Sequence, residues 1–191
     1  MKRAAYAVIG VAVLAAALTA CGSSTPSNPA GTPSPAATSG PVATARPAAV
    51  PKPVGKTVLR MEGALSSHNV GKSLAFDQRT LDAMATSTAT IFEPFVKRDI
   101  RFTGIPMSAL LTRAGVAPTA KTVHLHALDD YKVEFKVSDL MAPGVLLATK
   151  ADGAAIPIGK GGPIRLVFPP DSTAGKNKDV WIWSIDSMTI R

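Results

Sequence analysis

The chain has 191 residues, a formal net charge of +8 and a single cysteine. One thiol rules out an internal disulfide and a cysteine-built metal cluster. No basic run is interleaved with aromatic side chains, so nucleic acid is not the expected partner of the excess charge.

Met1-Lys2-Arg3 gives a positive start, and Ala4 to Leu18 is an almost unbroken apolar run. That run is shorter than the roughly 20 residues a spanning helix needs. Thr19-Ala20 then places small residues directly before Cys21. Together these compose an export signal over residues 1–20. Leu18-Thr19-Ala20-Cys21 also resembles the lipobox of bacterial lipoproteins, which implies cleavage before Cys21 and lipid on its thiol. The diacylglycerol of such proteins meets the requirement of more than one acyl chain for stable anchoring. The expected partner is therefore a membrane, met from the extracytoplasmic or periplasmic side.

Residues 21–56 read as a tether. Eight prolines are scattered there among Ser, Thr, Ala and Gly, with almost no large apolar side chain. Such a segment cannot bury enough surface to offset its ordering entropy. At about 3.1 Å per residue it spans roughly 100 Å at full stretch. Residues 57–191 remain, enough for one domain with its own core.

Within that domain, residues 57–63 alternate as a half-buried strand does. Asp77 is placed to cap a short helix through Met84, with Leu81 and Met84 on its apolar side and Phe76 as a staple. The β-branched stretch from Thr86 to Phe92, closed by Glu93-Pro94, predicts a strand that ends there. Ile105 to Gly115 reads as a helix, with Pro106 in its first turn, Met107, Leu110, Leu111 and Ala114 on one face, and Gly115 as its stop. Thr122 to Ala127 predicts a strand with Val123 and Leu125 on one face and His124 and His126 on the other. Asp129-Asp130 turns the chain, and Tyr131, Val133 and Phe135 share one side of the return. Val137 to Leu140 reads as a capped helical turn, Val145 to Ala148 as a strand buried on both faces, and Asp152-Gly153 as a hairpin turn. Pro163 to Phe168 and Val180 to Ile185 are the expected late strands, the second bearing Trp181 and Trp183. The sum is a strand-rich α+β fold with two or three short helices.

The order of short motifs resembles one family. Phe102-x-Gly104-Ile105-Pro106 followed by Leu110-Leu111-x-x-Ala114-Gly115 is similar to a segment of sulfite-oxidase-type molybdopterin-binding domains. So are Asp129-Asp130-Tyr131, Leu146-Leu147-Ala148, Asp152-Gly153 with Ile156-Pro157, and Gly161-Gly162-Pro163-Ile164-Arg165-Leu166-Val167-x-Pro169. Trp181-Ile182-x-x-Ile185 is similar to the closing motif. The resemblance implies molybdenum held by a pterin dithiolene and one protein cysteine, with an oxo site for oxygen-atom transfer. That cysteine would fall within residues 88–93, which here contain no sulfur. A histidine that often precedes the Gly-x-Pro-x-Arg motif is replaced by Lys160-Gly161. Soft thiolate ligation suits the metal, so its absence removes a principal ligand.

The resemblance implies that Arg165 lies near the cofactor and an anionic substrate, where its fork of donors suits an oxyanion. The alternative is an arginine that braces the Gly-rich loop. Lys160, Gly161 and Gly162 are a candidate anion site if the loop exposes backbone N–H groups. His124 and His126 have the i, i+2 spacing that can bring two imidazoles to one metal, although solvent-facing histidines fit equally. Glu93 is a candidate oxygen ligand in place of the thiolate, or a plain strand exit. Trp181 and Trp183 are expected in packing or as a binding platform. The reading is a lipid-anchored, non-catalytic binding or interaction module without a cofactor, presenting a cleft near Arg165 to a small anion, a pterin-like ligand or a protein. The alternatives are a molybdopterin-dependent oxidoreductase with a non-cysteine ligand, or an accessory subunit of a redox enzyme.

Overall fold

A computed structural model describes residues 49–191. The export signal, Cys21 and the tether up to residue 48 lie outside the described residues. The last residues assigned above to the tether are docked on the domain. Val50 is buried in the core, and the carbonyl of Pro51 accepts from Asn69. The amides of Val54 and Gly55 donate to Asp77 Oδ2 at 3.0 and 3.1 Å.

The chain opens with β1 (Thr57–Gly63) and β2 (Leu74–Asp77), then α1 (Gln78–Met84). Asp77 caps α1 as its side chain predicts, accepting from the amide of Thr80 at 2.8 Å. These donors, those of Thr80 first, hold the Asp77 carboxyl well below the usual carboxylate range. A carboxylate depressed in the folded state stabilises the fold above its unfolded pKa of about 3.9, and that contribution fades as pH falls through the range below. Urea unfolding should therefore find Asp77→Asn less stable than wild type at pH 7, with the gap closing progressively below about pH 4. A gap independent of pH would contradict the clip.

β3 (Ser87–Glu93) pairs antiparallel with β4 (Arg98–Pro106), and α2 (Met107–Ala114) follows directly. α2 buries the four residues named from its period, and Gly115 ends it in the left-handed region at φ 65°. Pro106 is not in its first turn. It closes β4 with φ −54° and ψ 128°, an extended residue that leads into the helix. β5 (Thr122–Ala127), β6 (Lys132–Lys136), α3 (Val137–Leu140), β7 (Leu146–Ala151) and β8 (Ala154–Ala155) come next. Asp152 and Gly153, at φ 51° and 81°, make the turn between β7 and β8. β9 (Arg165–Val167) and α4 (Thr173–Lys176) precede the final strand, β10 (Ile185–Ile190). The late strand expected over Val180–Ile185 is thus displaced. Residues 178–180 form a 3-10 turn, Trp181 to Ser184 follow as a non-strand segment that buries Ile182, and Ser184 takes φ 50°, which a strand does not allow.

Two five-stranded sheets result, one ordered β2-β1-β10-β5-β6, the other β3-β4-β7-β8 with β9 also on β7. β1 and β10 run parallel and the other pairs antiparallel. The main core packs Leu59, Met61, Leu125 and Ile190 with Leu110 and Leu111 of α2 and Leu147 of β7. The second sheet is buried on both faces at β7 and β9. Ile105, Leu147 and Leu166 face the main core, while Ile91, Ile100, Phe102, Ala148 and Val167 form a smaller cluster. This is the strand-rich α+β fold that the sequence predicts, with four α-helical segments.

Candidate functional site

The smaller cluster ends in a buried charge. Alternation along β3 that buries Ile91 buries Glu93 too, and alternation along β9 that buries Val167 buries Arg165. The two residues are 2% and 4% exposed. Arg165 Nη2 donates to Glu93 Oε2 at 2.9 Å, and Glu93 Oε1 accepts from the amide of Phe95 at 3.3 Å. The guanidinium lies over the rings of Phe102 and Trp183, 5.2 and 4.5 Å from their centroids. Burial pushes the Arg165 pKa down and the Glu93 charge opposes it.

Above the pair opens a cleft of about 1090 Å³. Its walls are the β3–β4 hairpin tip, the segment after β8, and the Trp181–Ser184 segment. Phe95 stands edge-on to Trp183, with centroids 4.9 Å apart and planes at 90°, and also meets Trp181 at 6.5 Å. Trp181 Nε1 donates to the Ala174 carbonyl, and Lys178 Nζ sits 3.9 Å from the Trp181 ring centroid. Tyr131 lies just before β6 rather than within it, and its hydroxyl donates to the Asp179 carbonyl. At the rim, Arg98 pairs with Asp152 at 2.7 Å, holding that carboxyl below its ordinary pKa.

The structure brings Arg165, Glu93, Lys160, Gly161, Trp181 and Trp183 to this one cleft. It does not form the proposed N–H cradle. The amides of Lys160, Gly161 and Gly162 already donate to the carbonyls of Pro157, Ile158 and Pro157, at 2.9, 3.0 and 2.9 Å. Gly162 is not among the lining residues, and a Cβ on it would stand 1.8 Å from the carbonyl oxygen of Ile156. The glycine serves close packing, not a ligand.

His124 and His126 lie away from the cleft, on the outer face of the first sheet. They share no metal site: His124 Nε2 pairs with Glu134 at 2.7 Å, and His126 lies 2.9 Å from Asp186 and 3.2 Å from Asp130. Among the described residues no group of three His, Cys, Asp or Glu could hold a metal ion. Glu93 as an oxygen ligand fares no better, because its carboxylate is engaged by Arg165. Sequence reasoning missed Phe95 as part of the site. Its one signal was its place beside Glu93-Pro94, in a segment that forms the hairpin tip.

No curated protein matches the chain. Among solved structures the fold is similar to the sulfane dehydrogenase SoxCD from Paracoccus pantotrophus, at TM-score 0.54 and 22% identity. The match covers 69% of this chain but only 37% of that one, and the likeness is one of fold. The model of the oxidoreductase molybdopterin binding domain matches residues 67–189, from the turn before β2 to the end of β10. The chain therefore belongs to the oxidoreductase molybdopterin-binding domain family.

Proposed function

We propose that this domain is a non-catalytic binding module, held at the extracytoplasmic side of a membrane by lipid on Cys21. The observation that carries the reading is the Glu93–Arg165 pair. The family chemistry needs a soft donor facing the cofactor cleft, and the donor set here does not fit it. Cys21 is the one cysteine in the chain and lies outside the matched segment. Met61, Met107 and Met188 are buried in the main core, and no methionine lines the cleft. Within residues 88–93, where the family's cysteine would fall, the deeply buried polar side chain is Glu93. Drawing Glu93 away to a metal would strand a buried guanidinium, a costly arrangement. No oxygen-transfer step is therefore drawn through this site. What supports binding is the cleft itself: concave, rimmed by aromatic rings and floored by a fixed ion pair.

The full chain, extracted from membranes of a host able to make molybdopterin, is expected to carry neither molybdenum nor pterin. Cys21→Ala should move it from the membrane to the soluble extracytoplasmic fraction. Molybdenum approaching one atom per chain would replace this reading with that of a molybdopterin-dependent oxidoreductase. Retention of Cys21→Ala in the membrane would remove the lipid anchor from it.

A further inference from the structure

We infer that the cleft takes a neutral aromatic ligand bearing a hydrogen-bond acceptor, not the small anion that a basic chain invites. This rests on the binding-module reading above and names its ligand class. The chain carries +8, but the charge does not gather here. The cleft is lined by four cationic side chains and four carboxylates, so it is balanced. Of the four cations, Lys160 alone has no side-chain partner among the described residues; the other devices that could grip an anion are already used. Arg165 gives Nη2 to Glu93 and its face to Phe102 and Trp183. Arg98 is paired with Asp152. Lys178 lies over Trp181 and donates to the Gly175 carbonyl at 3.2 Å. The loop amides at 160–162 are bonded within the loop. Away from Lys160, an anion would have to break one of these partnerships, and at Arg165 it would do so where both charges are buried.

The apolar side chains point the other way. Eight large hydrophobic side chains are exposed among the described residues, and five of them line this cleft. Ile158, after β8, is 66% exposed, and Phe95, at the β3–β4 hairpin tip, is 61% exposed. Apolar surface gathered in one concavity marks a binding site, and its size is that of a small-molecule pocket. Phe95, Trp181 and Trp183 offer edges and faces on which a flat ring packs with offset or edge-to-face geometry. Polar selection comes from the floor. Arg165 Nε and Trp183 Nε1 are buried without a partner, and both are donors. A ring that displaces Phe95 from Trp183 and carries an acceptor satisfies them; one that carries only donors does not.

The test uses two probes with the same body. 2-Acetylnaphthalene is neutral and carries a carbonyl acceptor, and naphthalene-2-sulfonate puts a sulfonate on the same rings. Both tryptophans of the chain line the cleft, so quenching of their emission reports on this site alone. The full chain should bind the neutral probe saturably, and at least about tenfold more tightly than the sulfonate. Ile158→Glu, at an exposed position that leaves folding unchanged, should weaken the neutral probe by about tenfold or more. Inorganic phosphate should not displace it. Equal or tighter binding of the sulfonate, or displacement by phosphate, would overturn the inference in favour of an anion site. Absence of saturable quenching by either probe would also overturn it, leaving a protein partner for the rim. Neither result touches the molybdenum measurement, which alone decides the binding-module reading.

Discussion

Arg165→Met alone should cost the domain about 3–5 kcal/mol, and adding Glu93→Leu should restore most of that loss. The single change removes the partner of a carboxylate that is 2% exposed and leaves it only the amide of Phe95, at 3.3 Å. Around it stand Ile91, Ile100, Phe102 and Val167, which offer no hydrogen bond from their side chains. A loss of that size is a large part of the stability of a typical domain, so the single variant should accumulate poorly in cells. The double variant replaces both charges with apolar groups of similar length and extends the cluster already there. Burying both charges costs desolvation that their attraction must offset, which is why an apolar pair can serve as well. Urea unfolding of the two singles and the double gives the coupling directly. If the double variant is as unstable as Arg165→Met, Glu93 is not the committed partner of Arg165 and is free to ligate a metal.

The second large effect is expected at Gly104→Ala. A Cβ at Gly104 would stand 2.1 Å from the carbonyl oxygen of Leu147 and 2.7 Å from the Ala148 Cα, both backbone atoms of β7. Neither can rotate away. β4 would have to part from β7 at the place where their register already shifts, between Thr103 and Gly104. Ile105 and Leu147 beside it are fully buried, so the separation would open the main core. A loss of at least about 3 kcal/mol follows, seen as a fall in Tm of roughly 10 °C or more. Gly153→Ala is the control. It sits at φ 81° with nothing within 4 Å of an added Cβ, so it carries only the conformational cost, about 1 kcal/mol. Similar melting of the two variants would show that β4 and β7 do not depend on this close approach.

These residues show what a single sequence discloses. The Asp77 cap, the period of α2 and the Gly115 stop depend on neighbours within four residues, and all stand as read. The motif Phe102-x-Gly104 also stood out, although its reason is a strand more than forty residues later. β4 was not read as a strand because Arg98-Asp99-Ile100-Arg101 mixes charge into its outer half. β10 was displaced for a structural reason. A register shift between Ile185 and Ser187 puts its buried residues at Ile185, Met188 and Ile190, which breaks the two-residue period. Meanwhile Trp181-Ile182-Trp183 carried the β-prone composition without the pairing. Within the site, Arg165 and Glu93 were both singled out, but as an anion binder and a metal ligand. They are 72 positions apart and on strands that do not pair, so no local pattern joins them.

The place of β10 sets the order in which the molecule can form. The strand at residues 185–190 is the middle member of the first sheet, parallel to β1 and flanked by β5 on its other side. Until it arrives, β1–β2 and β5–β6 are two strand pairs that are not hydrogen-bonded into one sheet. The first sheet therefore cannot close from its beginning, because β1 and β5 lack their common partner until residues 185–190 have been made. Joining strands so distant in sequence also makes the closing step slow. Deleting this six-residue strand would remove far more than six residues of structure, because it would separate the two halves of a sheet that no other strand joins.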